Sequence, residues 1–351
     1  MQQQVLFPIA DNNIYPKKIG MIKYIQPIRP KQAEGLVKPV YNQIKRDFGK
    51  IVEPFLLHSP LPELLAGAWM ACRETELVGN VPRNIKEAVA VAVSNQNQCP
   101  YCVDAHTIML TAGGENALAK AIRKAEFGQI KDEKTRAIVE WAQNGSGSKP
   151  FSEAETPEII GTVVYFHYIN RMANVLLSET PLPTNQTLFK GGMSQVASMM
   201  FSSAIKRPKT AGDSLEFLPE AELPADLAWA SGSANVAGAF ARFAKAVEID
   251  AEYALPQEVR LQVEEQIGKA VAEKAEFNPD LNAEIADRLG SEAEKSAAQL
   301  TLTTALASYK VDKKVVAGFR KHYPQDTKLL GALSWAGFTA ARKIGTQLSV
   351  N

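Results

Sequence analysis

The chain has 351 residues, 46% hydrophobic and 22% charged, with 39 Lys and Arg against 38 Asp and Glu. A formal charge of +1 gives no electrostatic basis for binding nucleic acid, an anionic membrane surface or a polyanionic substrate. The longest apolar run, Gly161 to Tyr168, is too short to span a membrane, and the start MQQQVLFPIADNN lacks the basic-then-apolar pattern of a secretory signal, so a cytoplasmic protein is expected.

Taken in chain order, nearly every segment reads as helix. After an arm (1–30), the stretch Lys31 to Phe48 carries Leu36, Val40, Ile44 and Phe48 at a spacing of four, and Gly49 follows as a stop. A second helix, Leu61 to Val78, ends at Gly79. Pro82 then suits the first turn of a helix whose positions Ile85, Ala88, Val89, Ala92 and Val93 form an apolar stripe. Ala88 to Val93 is apolar all round, which fits a buried helix, with a buried strand as the alternative that periodicity leaves open. Helices follow at Val103 to Ala112, Glu115 to Phe127 and Lys131 to Asn144. A capping box, Ser152 with Glu155, or the pair Thr156-Pro157 opens the next, which runs to about Leu177. From about residue 181 to 222, prolines, Gly191-Gly192 and Lys206-Arg207-Pro208-Lys209 interrupt the periodicity, as an interdomain linker does, with room for one short helix at Met193 to Ile205.

The remainder, 223–351, reads as a faded copy of 31–180. LPADLAWASGSANV at Leu223 aligns on LPELLAGAWMACRE at Leu61, ALPQEV at Ala254 on NVPRNI at Asn80, and the Gly331 to Leu348 segment on Gly161 to Leu177. With Pro256 set on Pro82, the residues Glu87, Cys99, Cys102 and His106 fall on Leu261, Glu273, Glu276 and Asp280. The expected fold class is therefore all-α, two helical bundle domains, the second degenerate and without chemistry.

One constellation carries chemistry. In the run Ser94 to His106, Asn95 to Gln98 is turn-like and Pro100 fits N1, which puts Cys99 at about the N-cap of a new helix. The unpaired N–H groups and dipole of a helix start favour a thiolate, and a Cys-x-x-Cys step keeps two sulfurs close enough to join. His106, four residues past Cys102, lies one turn along the same face, where it can take that thiol's proton. Glu87, in the preceding apolar helix, reads equally as a buried relay residue or a solvated one. Three other readings stand beside this. Zinc on Cys99, Cys102 and His106 needs a fourth ligand from Cys72, His58 or His167; Cys-Pro-Tyr-Cys is also the glutaredoxin active-site tetrapeptide, but that family places it after a first strand; and two inert core cysteines are the bland alternative. Cys72 reads as a packing residue, His58 as a helix-entry residue with a local hydrogen bond, His167 and Arg171 as a structural polar pair or pocket lining, and His322 as surface.

Glu87, twelve residues before Cys99-Pro100-Tyr101-Cys102, and His106, four after Cys102, resemble the pattern of the AhpD-like alkylhydroperoxidases and carboxymuconolactone decarboxylases. His58-Ser59-Pro60 and Asn170-Arg171-Met172 resemble the larger peroxidase-related branch; the likeness covers residues 30 to 185. It implies an all-α fold, Cys102 as attacking thiolate, Cys99 as the resolving thiol that closes a Cys99–Cys102 disulfide, and His106 with Glu87 as proton relay. It further implies a peroxide substrate, an external dithiol reductant, a homo-oligomer, and no organic cofactor or metal. Some peroxidases of the family carry a histidine where this chain has Tyr101, which puts efficient peroxide turnover in question. A decarboxylase-like lyase, whose family members generally dispense with the cysteine pair, and a non-enzymatic redox sensor are the rival functions.

Overall fold

The computed structural model describes residues 22–145, 147–178, 207–275 and 277–350, and among them every regular element is helical. The expected helix at Met193 to Ile205 lies outside the described residues. The first half contains α1 (Val37–Asp47), α2 (Glu53–Leu56), α3 (Pro62–Cys72), α4 (Arg83–Gln96), α5 (Pro100–Ala112), α6 (Asn116–Arg123), α7 (Glu133–Asn144) and α8 (Thr156–Leu176). The second contains α9 (Ala234–Ala254), α10 (Gln257–Glu273), α11 (Asp280–Ala286), α12 (Glu292–Ala307), α13 (Lys313–His322) and α14 (Asp326–Val350). No described helix is long and apolar enough to cross a membrane.

Local chemistry explains the boundaries. Helix α1 begins at Val37, later than the periodicity suggests, because Gly35 sits in the left-handed region at φ 51°. Pro100 stands at N1 of α5 with Cys99 as its N-cap, as expected, and Gln98 turns the chain at φ 50°. The helix expected over Leu61 to Val78 is interrupted: after Cys72 it widens into a π turn, Arg73–Leu77, closed by Val78 N–H donating to the Arg73 carbonyl. Such turns insert one residue into a helix and re-aim the side chains after it.

Arg73, Glu74, Thr75 and Glu76 are all buried on this turn. Charge there requires partners, and Glu74 illustrates how they are found. It accepts from Arg73, the Ser214 hydroxyl, the Gly212 N–H and the Asn235 amide, while Arg73 also donates to Asp47. The end of the expected linker is thereby strapped to the π turn.

The next turn is fixed by Glu158 of α8, whose carboxylate accepts from Asn80 N–H, Val81 N–H and Lys86. Gly79 lies against that carboxylate at φ 107°; any Cβ there would collide with it.

Hydrophobic packing runs through both halves as one core. Every residue of α8 except Asn174 is buried, which is why its sequence lacks a polar face. It packs along α14, where Gly161 and Gly345 let the helices close around Trp229. Helix α3 packs on α9 at Gly67, against Phe243. Each such buried Leu, Ile, Val or Phe contributes roughly 1.5–3 kcal/mol by leaving water. The arm is fastened to both halves, with Lys23 N–H donating to Leu176, Ile28 N–H to Ser59 and Gln26 N–H to Asp326.

The three pieces of the expected repeat take unequal shapes. The Pro82 and Pro256 segments both open helices, α4 and α10, and the final segments form α8 and α14. The LPADLAWASGSANV stretch does not copy α3: it forms a 3-10 turn, Ala225–Ala230, before α9 starts at Ala234.

Candidate active site

The site lies where the start of α5 meets α4, the π turn and α8. His106 sits between two buried carboxylates. Its Nδ1–H donates to Glu87 at 2.7 Å, and the same nitrogen lies 3.4 Å from Glu76 Oε1. Arg83, one turn before Glu87, donates to Glu87 Oε1 through Nε and Nη2, both at 2.9 Å. Phe166 meets the imidazole edge-on, with ring centroids 4.6 Å apart.

Burial alone would discharge this imidazole, but Glu76 and Glu87 outweigh it and push His106 up to about 10, so it is an imidazolium at neutral pH. Burial works against the Glu76 carboxylate too, and the His106 charge overrides it, holding Glu76 low. Two carboxylates, one imidazolium and one guanidinium balance to zero, which is what lets four charges sit together out of water.

Both cysteines are buried, and their thiols interact directly. Their environments differ. Burial pushes Cys99 up, and the neighbouring Cys102 thiolate pushes it further. Burial also opposes the Cys102 thiolate, but the Cys99 thiol, the His106 charge and the Asn170 amide outweigh it and bring Cys102 below the ordinary thiol range. The Asn170 amide is itself oriented: its oxygen accepts from Asn97 and its nitrogen donates to Ser94. Asn97 is held in turn by Asn174, whose amide bonds both the Asn97 carbonyl and Ser308 of the second half.

All four residues singled out from sequence, Glu87, Cys99, Cys102 and His106, therefore gather here. Sequence reading missed Arg83, Cys72, Glu76 and Asn170. Cys72 is more than packing: its thiol donates to Glu76 Oε2 at 3.4 Å. The i, i+4 spacings Arg83–Glu87 and Cys72–Glu76 were the available signal. Asn170 stood in the family-like segment Asn170-Arg171-Met172, but no spacing tied it to the cysteines, since its partners come from other parts of the chain.

Other expectations resolve as follows. Tyr101 donates to Glu53 at 3.0 Å; burial and then Glu53 push its hydroxyl well up, so it supplies no proton to the cysteines. The zinc reading lacks its fourth ligand. His58 donates Nδ1–H to the Pro54 carbonyl and bonds Tyr168, and His167 is taken up with Asn97 and Arg171 in a structural network that reaches the Ala305 carbonyl. Glu76, Glu87 and His106 bring three donor atoms within 4.8 Å of one another, and Arg83 is bonded to the Glu87 oxygen that faces away from the ring. His322 is exposed, as expected. A cleft in the second half contains Arg342 and Lys343, both spent on ion pairs with Asp226 and Glu264.

The chain is similar to known proteins in two respects. Residues 63–126, which span Glu76, Glu87, both site cysteines and His106, match the carboxymuconolactone decarboxylase family. Over 330 residues the chain is 37% identical to a Mycobacterium tuberculosis (strain ATCC 25618 / H37Rv) protein named alkyl hydroperoxide reductase Rv2159c, covering 93% of this chain and 94% of that one.

Proposed function

This chain belongs to the AhpD-like alkylhydroperoxidase and carboxymuconolactone decarboxylase family, and from that premise we propose that it is a thiol-dependent enzyme that reduces peroxides through Cys102. What carries the reading is the unequal setting of the two touching thiols: the Cys99 thiol, the His106 charge and the Asn170 amide all favour a thiolate at Cys102, while burial holds Cys99 as a thiol. That supports attack by the first and resolution by the second.

The steps balance. Cys102 thiolate attacks the outer oxygen of a hydroperoxide; the S–O bond forms, the O–O bond breaks, and the departing alkoxide takes a proton from the His106 imidazolium. The products are an alcohol and a Cys102 sulfenic acid. Cys99 then attacks the Cys102 sulfur and water leaves, giving the Cys99–Cys102 disulfide. An external dithiol restores both thiols by exchange, and neutral His106 takes back the proton of Cys102. Glu87 supports the cycle by fixing the ring at Nδ1, with Arg83 fixing Glu87. Association into a homo-oligomer is part of the same proposal.

The test is to mix the reduced protein with tert-butyl hydroperoxide and count free thiols, beside Cys99→Ser and Cys102→Ser. The reading expects loss of two thiols in the wild type, no reaction in Cys102→Ser, and arrest at a sulfenic acid in Cys99→Ser. Wild type that keeps its thiols, together with lactone decarboxylation that survives both substitutions, would replace it with the lyase reading.

A further inference from the structure

Glu76 is the one buried carboxylate at the site that the relay above leaves without a role. We propose that it is a second positioning residue for the thiol chemistry: from the π turn it joins Glu87 in holding the positive charge on the His106 ring, and so sets how readily Cys102 is present as thiolate.

Three geometric facts carry this. Glu76 Oε1 faces the same ring nitrogen as Glu87, at 3.4 Å against 2.7 Å. That oxygen is buried and makes no hydrogen bond among the described residues, so its compensation is the imidazolium charge itself. The other oxygen is pinned by the Cys72 thiol, which in turn takes a hydrogen bond from Tyr165. Both Glu74 and Glu76 ride on the widened turn, Glu74 turned to the strap and Glu76 to the site. The widened turn thus presents its two carboxylates to different partners.

The remaining groups around the pair do not supply a substitute. Arg83 and Glu87 face it from α4, Cys102 from α5, Cys72 from α3 and Tyr165 from α8. Lys86 of α4 is committed to Glu158 at 2.6 Å, and Asp104 of α5 to Arg123. With Glu76 neutralised, Glu87 alone would face two cations, and the ring proton is the one that can leave. The direction at His106 agrees: Glu76 and Glu87 together hold its charge against burial.

The inference deepens the thiol reading above and is measured apart from peroxide turnover. In the full-length Cys99→Ser protein, the Cys102 thiolate is titrated by its ultraviolet absorbance and by the pH dependence of its alkylation by iodoacetamide, read at the Cys102 peptide. Glu76→Gln is expected to raise the midpoint by about one pH unit or more, the usual effect of a charge within a few ångströms, and Glu76→Asp to recover part of it. An unchanged midpoint in Glu76→Gln would overturn the proposal. Should that variant not fold, the wild type still decides: nitrogen NMR of the His106 ring is expected to show it protonated well above the ordinary histidine range, and titration near the ordinary value overturns the idea. A shifted midpoint in a protein that does not reduce peroxides would sink the peroxidase reading and leave this one standing.

Discussion

After Pro82 the chain runs through one helix and a turn to a second helix that starts on two cysteines; after Pro256 it runs through the 17 residues of α10 and on to α11 at Asp280. In the first stretch Glu87, Cys99 and Cys102 are buried. The positions set against them in the second, Leu261 and Glu273, are exposed, Leu261 by 56%, and Asp280 in place of His106 is exposed too. Glu276 lies outside the described residues. A buried set of ionisable groups is tolerable only with its full complement of partners. The matched positions of the second half carry none of the four residues, and those among the described residues open to water. Carboxylates tell the same story: Glu76, fully buried, is held low by His106, whereas Asp250 on α9, with one oxygen unpartnered, is pushed up to about 7 by burial and by Glu63.

Four measurements test this contrast. The largest effect is expected at the thiol: Cys102→Ser lowers the rate of peroxide consumption more than about a thousandfold, while Glu273→Ala, at the place in the second half that matches Cys99, leaves it unchanged. A fall on Glu273→Ala would show that the two halves share the chemistry.

Next come two glycines with opposite surroundings. Gly79→Ala meets both a positive φ and the Glu158 carboxylate, and is expected to cost about 3 kcal/mol or more in urea unfolding. Gly268→Ala, in α10 with open space at its Cβ, should stabilise by up to about 1 kcal/mol.

The third is pH. His106 is raised above its ordinary value, so its contribution is complete below about 6.5, the reference value for histidine, and is lost as pH rises through about 10. Wild type should therefore lose on the order of 2 kcal/mol between neutral pH and pH about 10 relative to His106→Gln, by urea titration at each pH. Equal slopes in the two proteins would mean the ring is not the buried cation described here.

The smallest concerns Asp250. Its raised value means the ionised form is disfavoured in the fold, so the wild type loses stability as pH climbs from the ordinary aspartate range through about 7. Asp250→Asn should be more stable than wild type by about 1 kcal/mol above pH 8, discounted for partial exposure, and no more stable at low pH. The reverse order would show that Asp250 has a partner when charged.

The sequence by itself determined the helical class, the helix starts at Pro82 and Pro100, and the placement of Cys99 at an N-cap, because periodicity, proline and capping are local. It also determined which thiols, histidine and glutamate to examine, since the spacings Glu87 to Cys99 and Cys102 to His106 are properties of one strip of chain. Tertiary structure alone decided that Glu87 faces His106, that Glu76 is buried on a π turn beside it, and that Asn170 reaches Cys102. It also joined the two halves through α3, α8, α9 and α14 into one core. These contacts bring together residues far apart in the chain, and their balance of charge against burial is a property of the whole packed set. A local pattern fixes which side chains share a helix face; only the surrounding helices fix which of those faces is taken out of water.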